Sequence, residues 1–416
     1  MKTKLRQIWK CLVVALVIFT TVPLRVSAVT GFLDAEVLGG QFMYRGSASS
    51  FGGLAHVTGG PAFTLSDKSS LFLTYDGSYN GFKNVSDIVG GDQLFQQSMD
   101  HTARAKYKYN MSESWSLKPS IAYTKEFFRE TNDERWGKGL YDFNRLSAGL
   151  ESEWKMDLFR HPSILRANYH FFLTNYPNFR SLGSSLGKEI ATNPGSRTLD
   201  TRAHQVGAGA SIRLSPSWAL SSSYDFTFRS FVDQKIINSN AQYESKNRLD
   251  IVNGVELGAS FVPQREWTLP KLGTKLRSGV DFGYRLEYLN SNQNHFDTDP
   301  ALNFFEAGFY DYIDNSLSTT FSVASPKKVQ VSLGYSLEFR SYLKRHIQDA
   351  SGQYLGGKLY QTTHVFSLMA SYPIAKGFSG RISGHWQKSE SDMAFERTYR
   401  YNYDAAQYFA GIGYSF

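Results

Sequence analysis

The chain has 416 residues, 45 Lys and Arg against 37 Asp and Glu, a formal net charge of +8 and a single cysteine. A mean hydropathy of −0.36, with no apolar run near the length that a spanning helix needs, excludes a helical membrane protein. Yet aromatic residues make up 15% of the chain, with 25 Tyr, 31 Phe and 7 Trp.

Taken from the start, residues 1–28 read as an export signal. Lys2, Lys4, Arg6 and Lys10 give a basic beginning, and Cys11 to Thr20 form an apolar run too short to cross a bilayer. Val26-Ser27-Ala28 supplies the small residues of a cleavage site. The mature chain is expected to start near Val29, in an envelope compartment. Cys11 leaves with the signal, so no disulfide staples the fold. The signal also carries Arg25 and no acid; taking its five positive residues from 45 leaves 40 against 37, a net of +3. That balance argues against a nucleic-acid partner.

From Val29 onward the side chains alternate with period two, the mark of a strand with one apolar and one polar face. Strands are expected at 31–45, 53–65, 70–82, 100–110, 114–130, 140–154, 163–175, 201–214, 217–234, 248–262, 274–290, 306–324, 329–346, 359–372, 378–392 and 404–416. The clearest runs from Lys275 to Leu289, with Leu276, Val280, Phe282, Tyr284, Leu286 and Tyr288 opposite Lys275, Arg277, Asp281, Arg285 and Glu287. The first span alternates poorly at Phe32 to Leu38 and reads equally as a short plugging segment. Tight turns rich in Ser, Pro, Asn, Asp and Gly fall at 66–69, 110–113, 215–216, 325–328 and 373–377. Longer polar connections lie between them near 83–99, 131–139, 176–200, 235–247, 291–305, 347–358 and 393–403. Connections near 155–162 and 263–273 are expected to be longer than a tight turn, although they fall on the short-turn rim. No linker, repeat array or charged tail marks a second domain, so 29–416 reads as a single unit.

The last strand is the most telling. Tyr408, Ile412, Tyr414 and the terminal Phe416 share one face, while the residues between them are small or polar, apart from Phe409. A strand ending on an aromatic carboxy-terminus resembles the closing strand of bacterial outer-membrane β-barrels. There Tyr408, Ile412, Tyr414 and Phe416 would act as the signal to the barrel-assembly machinery. With the export signal and the hairpin rhythm, the whole mature chain resembles that porin-like class, with no specific family identified. The implied fold is all-β: a transmembrane antiparallel up-and-down barrel of about 16 strands, 14 or 18 being the neighbouring counts. The implied location is the outer membrane of a Gram-negative bacterium, crossed many times, with both termini at the short-turn rim. Trimeric diffusion porins narrow the pore with a long third loop; here the third connection, near 131–139, is short.

Strand parity puts Arg104, Lys106, Lys108, Arg166, Arg277, Asp281, Arg285, Glu287, Glu338, Arg340 and Arg381 on the lumen side. The run Arg104-Lys106-Lys108 suggests an anion-attracting constriction; a generic polar wall paired with acids is the plainer reading. Enzyme signatures are weak. No His-x-Ser pair lies on an outward strand face, and Asp311, Asp314 and His295 only loosely match a protease-like carboxylate and imidazole set. No catalytic residue, metal ligand set or cofactor is expected. The function expected is passive passage of small polar or anionic solutes, with the bilayer, the assembly machinery and those solutes as partners. A homo-oligomer or a periplasmic partner stays open. Two alternatives remain: the barrel of an export or electron-transfer complex whose partner fills the lumen, or a surface-binding barrel acting through loop aromatics such as Tyr176, Phe179, Tyr354, Tyr399, Tyr401 and Tyr403.

Overall fold

A computed structural model describes residues 28–44, 47–81, 97–129, 133–179, 195, 197–269, 274–297, 304–396 and 400–416. Of the expected export signal, residues 1–28, all but Ala28 lie outside them, and the first strand begins at Ala28. Sixteen long strands follow in chain order: β1 Ala28–Tyr44, β2 Ser47–Ser66, β3 Ser69–Asn80, β4 Gln97–Asn110, β5 Trp115–Arg129, β6 Phe143–Leu158, β7 His161–Asn175 and β8 Thr201–Arg213. The second half comprises β9 Trp218–Ile237, β10 Tyr243–Phe261, β11 Thr274–Ser291, β12 Tyr312–Ala324, β13 Gln330–Gln348, β14 Tyr354–Ala375, β15 Phe378–Ser391 and β16 Tyr403–Ser415. Each pairs antiparallel with its chain neighbours, and β16 returns to β1 in a ladder from Asp34↔Ser415 to Tyr44↔Ala405. Beyond that ladder Phe416 N–H donates to Leu33 O at 3.0 Å and Leu33 N–H donates back at 3.3 Å. Closure removes both sheet edges, which in hydrocarbon would leave backbone groups unsatisfied. The all-β, 16-stranded barrel expected from the sequence is the fold found.

The differences are at the rims. The first span is no plugging segment: β1 is laddered to β2 on one side and β16 on the other over most of its length. The connection near 155–162 is a two-residue turn, Phe159-Arg160, both at positive φ (52° and 68°), closing Leu158↔His161. That is the I′-type geometry whose twist suits a hairpin. In the connection near 263–273, residues 270–273 lie outside the described residues, and Trp267–Leu269 pairs as a short strand with Thr274 to Leu276. On the opposite rim the expected loops at 235–247 and 347–358 shrink to 238–242 and 349–353. Their polar residues continue the ladders past the apolar zone, with register shifts between Tyr243 and Leu249 and between Ser341 and Gln348. Polarity there signals depth rather than loss of strand.

One face carries exposed Leu150, Val206, Leu257, Phe282, Leu317, Leu333, Phe366, Ile382, Tyr408 and Ile412. On the same face six hairpins repeat one contact. Tyr75 pairs its hydroxyl with His101 Nδ1 (2.7 Å), Tyr169 with His204 (2.8 Å) and Tyr335 with His364 (2.9 Å). Tyr123, Tyr224 and Tyr284 donate to the Oδ1 atoms of Asn144 (3.1 Å), Asn253 and Asn315 (both 2.8 Å). In every case the partner lies two residues before the one directly opposite the tyrosine, toward the long-loop rim. A phenol facing an apolar medium is costly unless its O–H is bonded. These diagonal pairs meet that need and mark where the apolar band ends.

Candidate functional site

The other face is polar, and its ion pairs show that it is the concave one. Lys106 on β4 reaches Glu151 on β6 (2.8 Å), past β5, and Lys118 on β5 touches both Glu151 (2.7 Å) and Glu153 (2.8 Å). Arg381 on β15 crosses β16 to Asp34 (3.1 Å) and Glu36 (2.7 Å) on β1. Neighbouring strands lie about 4.8 Å apart, so side chains bridge two strands away only where the sheet curves toward them. The long apolar and aromatic side chains therefore point outward to lipid. This is a transmembrane β-barrel of the outer-membrane type.

Directly opposed residues share a face, so the registers define rows running around the wall. One row reads Glu153, Arg166, Gly209, Ser223, Glu256, Arg285, Ser316, Glu338. The adjacent row reads Glu151, Asn168, Gly207, Asp225, Gly254, Glu287, Asp314, Arg340. Charges pair within and between them. Arg166 Nε donates to Glu153 at 3.2 Å, Arg285 to Glu287 at 2.6 Å, and Arg340 to Asp314 and to Glu338 at 3.1 Å. Tyr312 donates its O–H to Glu287 at 2.7 Å.

The sequence-derived lumen residues all fall on the concave parity, but their partners change the picture drawn from parity alone. The basic run of β4 is not uniform: Lys106 is held by Glu151, whereas Arg104 and Lys108 have no ion-pair partner among the described residues. Asp281 accepts from Ser260 Oγ. Arg277 sits at the short-turn rim with Glu266 at 3.0 Å, joined by Lys275 at 3.6 Å. Arg277 there holds the Glu266 carboxyl below its ordinary range. Asp311, Asp314 and His295 do not assemble. Asp314 belongs to Arg340, Asp311 accepts the Ser291 N–H (2.7 Å), and the His295 ring stacks on Phe309 at 4.4 Å. Burial pushes Asp311 up and His295 down from their usual values. Among the described residues no group of His, Cys, Asp and Glu could hold a metal ion.

The loop aromatics are packed rather than presented. Tyr401 and Tyr403 are buried at 3% and 4% exposure, and burial pushes the Tyr401 phenol up to about 12. Tyr354 stacks on Phe304 (4.1 Å), Tyr176 lies against Phe143 (5.5 Å) and Phe179 against Tyr141 (6.0 Å); Tyr399 is outside the described residues. Sequence reasoning missed the residue that organises this rim. The Arg345 guanidinium lies over Phe309 (4.1 Å), Tyr342 (5.2 Å) and Tyr401 (5.5 Å), drawing the 292–311 and 392–402 connections to β13. The described residues of the first connection reach from β9 to β14. Asn294 donates to Ile237 O (2.8 Å), Glu306 accepts from His346 N (2.6 Å) and Nδ1 (2.7 Å), and Tyr354 donates to Asp297 (3.2 Å). Arg345 falls within a stretch where the β13–β14 register shifts, so parity gave no hint of its direction.

No family model matches the chain, and no curated protein matches it. Among solved structures it is similar to OmpT, an outer membrane protein of Vibrio cholerae, in trimer form: 11% identity over 94% of this chain and 100% of that one, TM-score 0.46. It is also similar to CdiB from Acinetobacter baumannii (9% identity, 93% and 60% covered, TM-score 0.47). A third is the anion-selective porin from Comamonas acidovorans (10% identity, 94% and 99% covered, TM-score 0.38). Likenesses this loose say nothing of what the chain does.

Proposed function

We propose that the barrel is a passive outer-membrane channel for small polar solutes and performs no covalent chemistry. The observation that carries this reading is the ion-paired polar wall on the concave side of a 16-strand closure. At about that strand number side chains from opposite walls do not meet, and a water-filled passage remains. A wall whose charges largely neutralise one another offers hydrogen bonds to many solutes and a strong field to none.

Selection by charge is correspondingly modest. With Lys106 neutralised, Arg104 and Lys108 are the cations left to attract an anion on β4, and screening limits their reach to about 8 Å at physiological ionic strength. The reading is tested by swelling of proteoliposomes in sugars of rising size. Rates should fall smoothly with solute mass, and rates equal to those of empty liposomes would end it. In planar bilayers under a salt gradient, Arg104→Glu with Lys108→Glu should move the reversal potential toward the cation side. Lys106→Glu alone, one charge reversal against two, should do so less.

A further inference from the structure

The charged rows described above are interrupted at one place. Between Arg166 and Glu256 the first row holds only Gly209 and Ser223, and in the second Asp225 is flanked by Gly207 and Gly254. A recess of about 590 Å³ opens in the wall here, from β7 to β12, lined by Arg166, Asn168, Asp225, Glu256, Arg285 and Ser318 among others. Glycine also shapes the wall beside it. A Cβ on Gly207 would lie 2.4 Å from Asp225 Oδ1 and 2.7 Å from Asn168 Nδ2, so both groups lean into space that only glycine leaves.

We infer that this recess is a solute-binding subsite of the channel, selective for small zwitterions of the short-peptide class. The inference rests on the channel reading and adds a substrate class to it. The charge layout carries it. Asp225 has no hydrogen-bond or ion-pair partner among the described residues, in a wall where most other charges are paired. Among the described residues, Glu256 beside it has only the 3.6 Å contact with Arg285. Arg166 engages Glu153 through Nε and, being a five-donor fork, keeps further N–H groups free. A carboxylate near the middle with a guanidinium at either end matches a solute with an ammonium group and a carboxylate a few bonds apart. A saccharide fits less well. Sugars favour an aromatic platform, and the one ring among the lining residues, Tyr284, stands on the outward face and bonds Asn315 there. In a solute pose the ammonium would donate to Asp225 and Glu256, and the carboxylate would accept from Arg166.

The probe is triglycine, compared with its uncharged counterpart, N-acetyl-triglycine amide. In planar bilayers triglycine should produce brief, concentration-dependent interruptions of the ion current, and the uncharged peptide should not. Asp225→Asn and Arg166→Gln should each raise the half-blocking concentration about tenfold, the loss of one hydrogen bond to a charged group. Arg277→Gln, out at the rim, should leave it unchanged. Equilibrium dialysis of labelled triglycine against the detergent-solubilised barrel separates the two claims. Binding lost in Asp225→Asn without any conductance would leave the subsite standing and remove the channel. Conductance with no triglycine block, or a block equal for both peptides or indifferent to Asp225→Asn, would remove the subsite and leave the channel.

Discussion

The joint between the first and last strands is the place where the sequence gives the sheet least help, because β1 and β16 meet across the whole length of the chain. Loop-closure entropy makes such a contact the costliest to form, and Arg381 reinforces it. Its guanidinium passes over β16 at the level of Gly413 to reach Asp34 and Glu36. A Cβ on Gly413 would lie 2.2 Å from Arg381 Nε and 2.4 Å from Cζ, closer than atoms can approach. Gly413→Ala should therefore force the side chain off its partners. All three groups are partly exposed, with side chains at 25%, 38% and 27% of full accessibility. The loss thus belongs between a surface pair and a buried one, about 1–3 kcal/mol in total. The control is Gly384→Ala, whose Cβ would meet nothing nearer than 3.8 Å and should be neutral. The assay is urea unfolding of the detergent-folded barrel, followed by loss of heat-modifiable mobility, for Gly413→Ala, Arg381→Gln and the double variant. If the alanine acts by displacing Arg381, the double variant should be no less stable than Arg381→Gln alone. Additive losses, or a Gly413→Ala protein as stable as the control, would refute the reasoning.

Other outcomes follow from single contacts. Replacing Phe159-Arg160 by Asn-Gly should stabilise the barrel by about 1–2 kcal/mol, since both positions hold the left-handed conformation that bulky L-residues resist; unfolding midpoints check this. Tyr284→Phe should cost about 1 kcal/mol by leaving Asn315 unbonded on the lipid face, measurable in the same assay. The Asp311 carboxyl is raised by burial, so the folded protein binds that proton more tightly than the unfolded chain does. Its contribution is full below the ordinary value of 3.8 and is lost as pH rises through the folded one. Asp311→Asn keeps an acceptor for the Ser291 N–H and should flatten the decline in melting temperature over that window; an unchanged slope would exclude Asp311 as its source.

What the sequence revealed, and what it hid, follows from the kind of signal each feature leaves. The strands of the membrane zone were legible because one face must be apolar, which imposes period two on Val280 to Tyr288 or Val331 to Phe339 without exception. Outside the apolar zone that constraint lapses, and Lys235, Tyr243 and Gln348, all in strands, look like loop. The Phe159-Arg160 turn was invisible because neither residue favours positive φ. On the concave face, parity gave direction but not partnership. Whether Lys106 stands free depends on Glu151, 45 positions away and two strands over. The recess was harder still, since its signal is three glycines on two strands, Gly207, Gly209 and Gly254, each unremarkable alone. The outward Tyr–His and Tyr–Asn pairs were half visible: the tyrosines of β7, β9, β11 and β13 follow the outward parity, but their partners are set by register.

The central claim is a water-filled passage, and the most direct measurement is the current through the purified barrel, prepared without the expected signal as residues 29–416, in a planar bilayer. The account predicts discrete, repeatable conductance steps in symmetric salt, with current linear in voltage at low voltage and no strong preference between the ions of the salt. A preparation shown to be folded by heat-modifiable mobility that inserts but gives no steps would contradict it, because the lumen would then be filled.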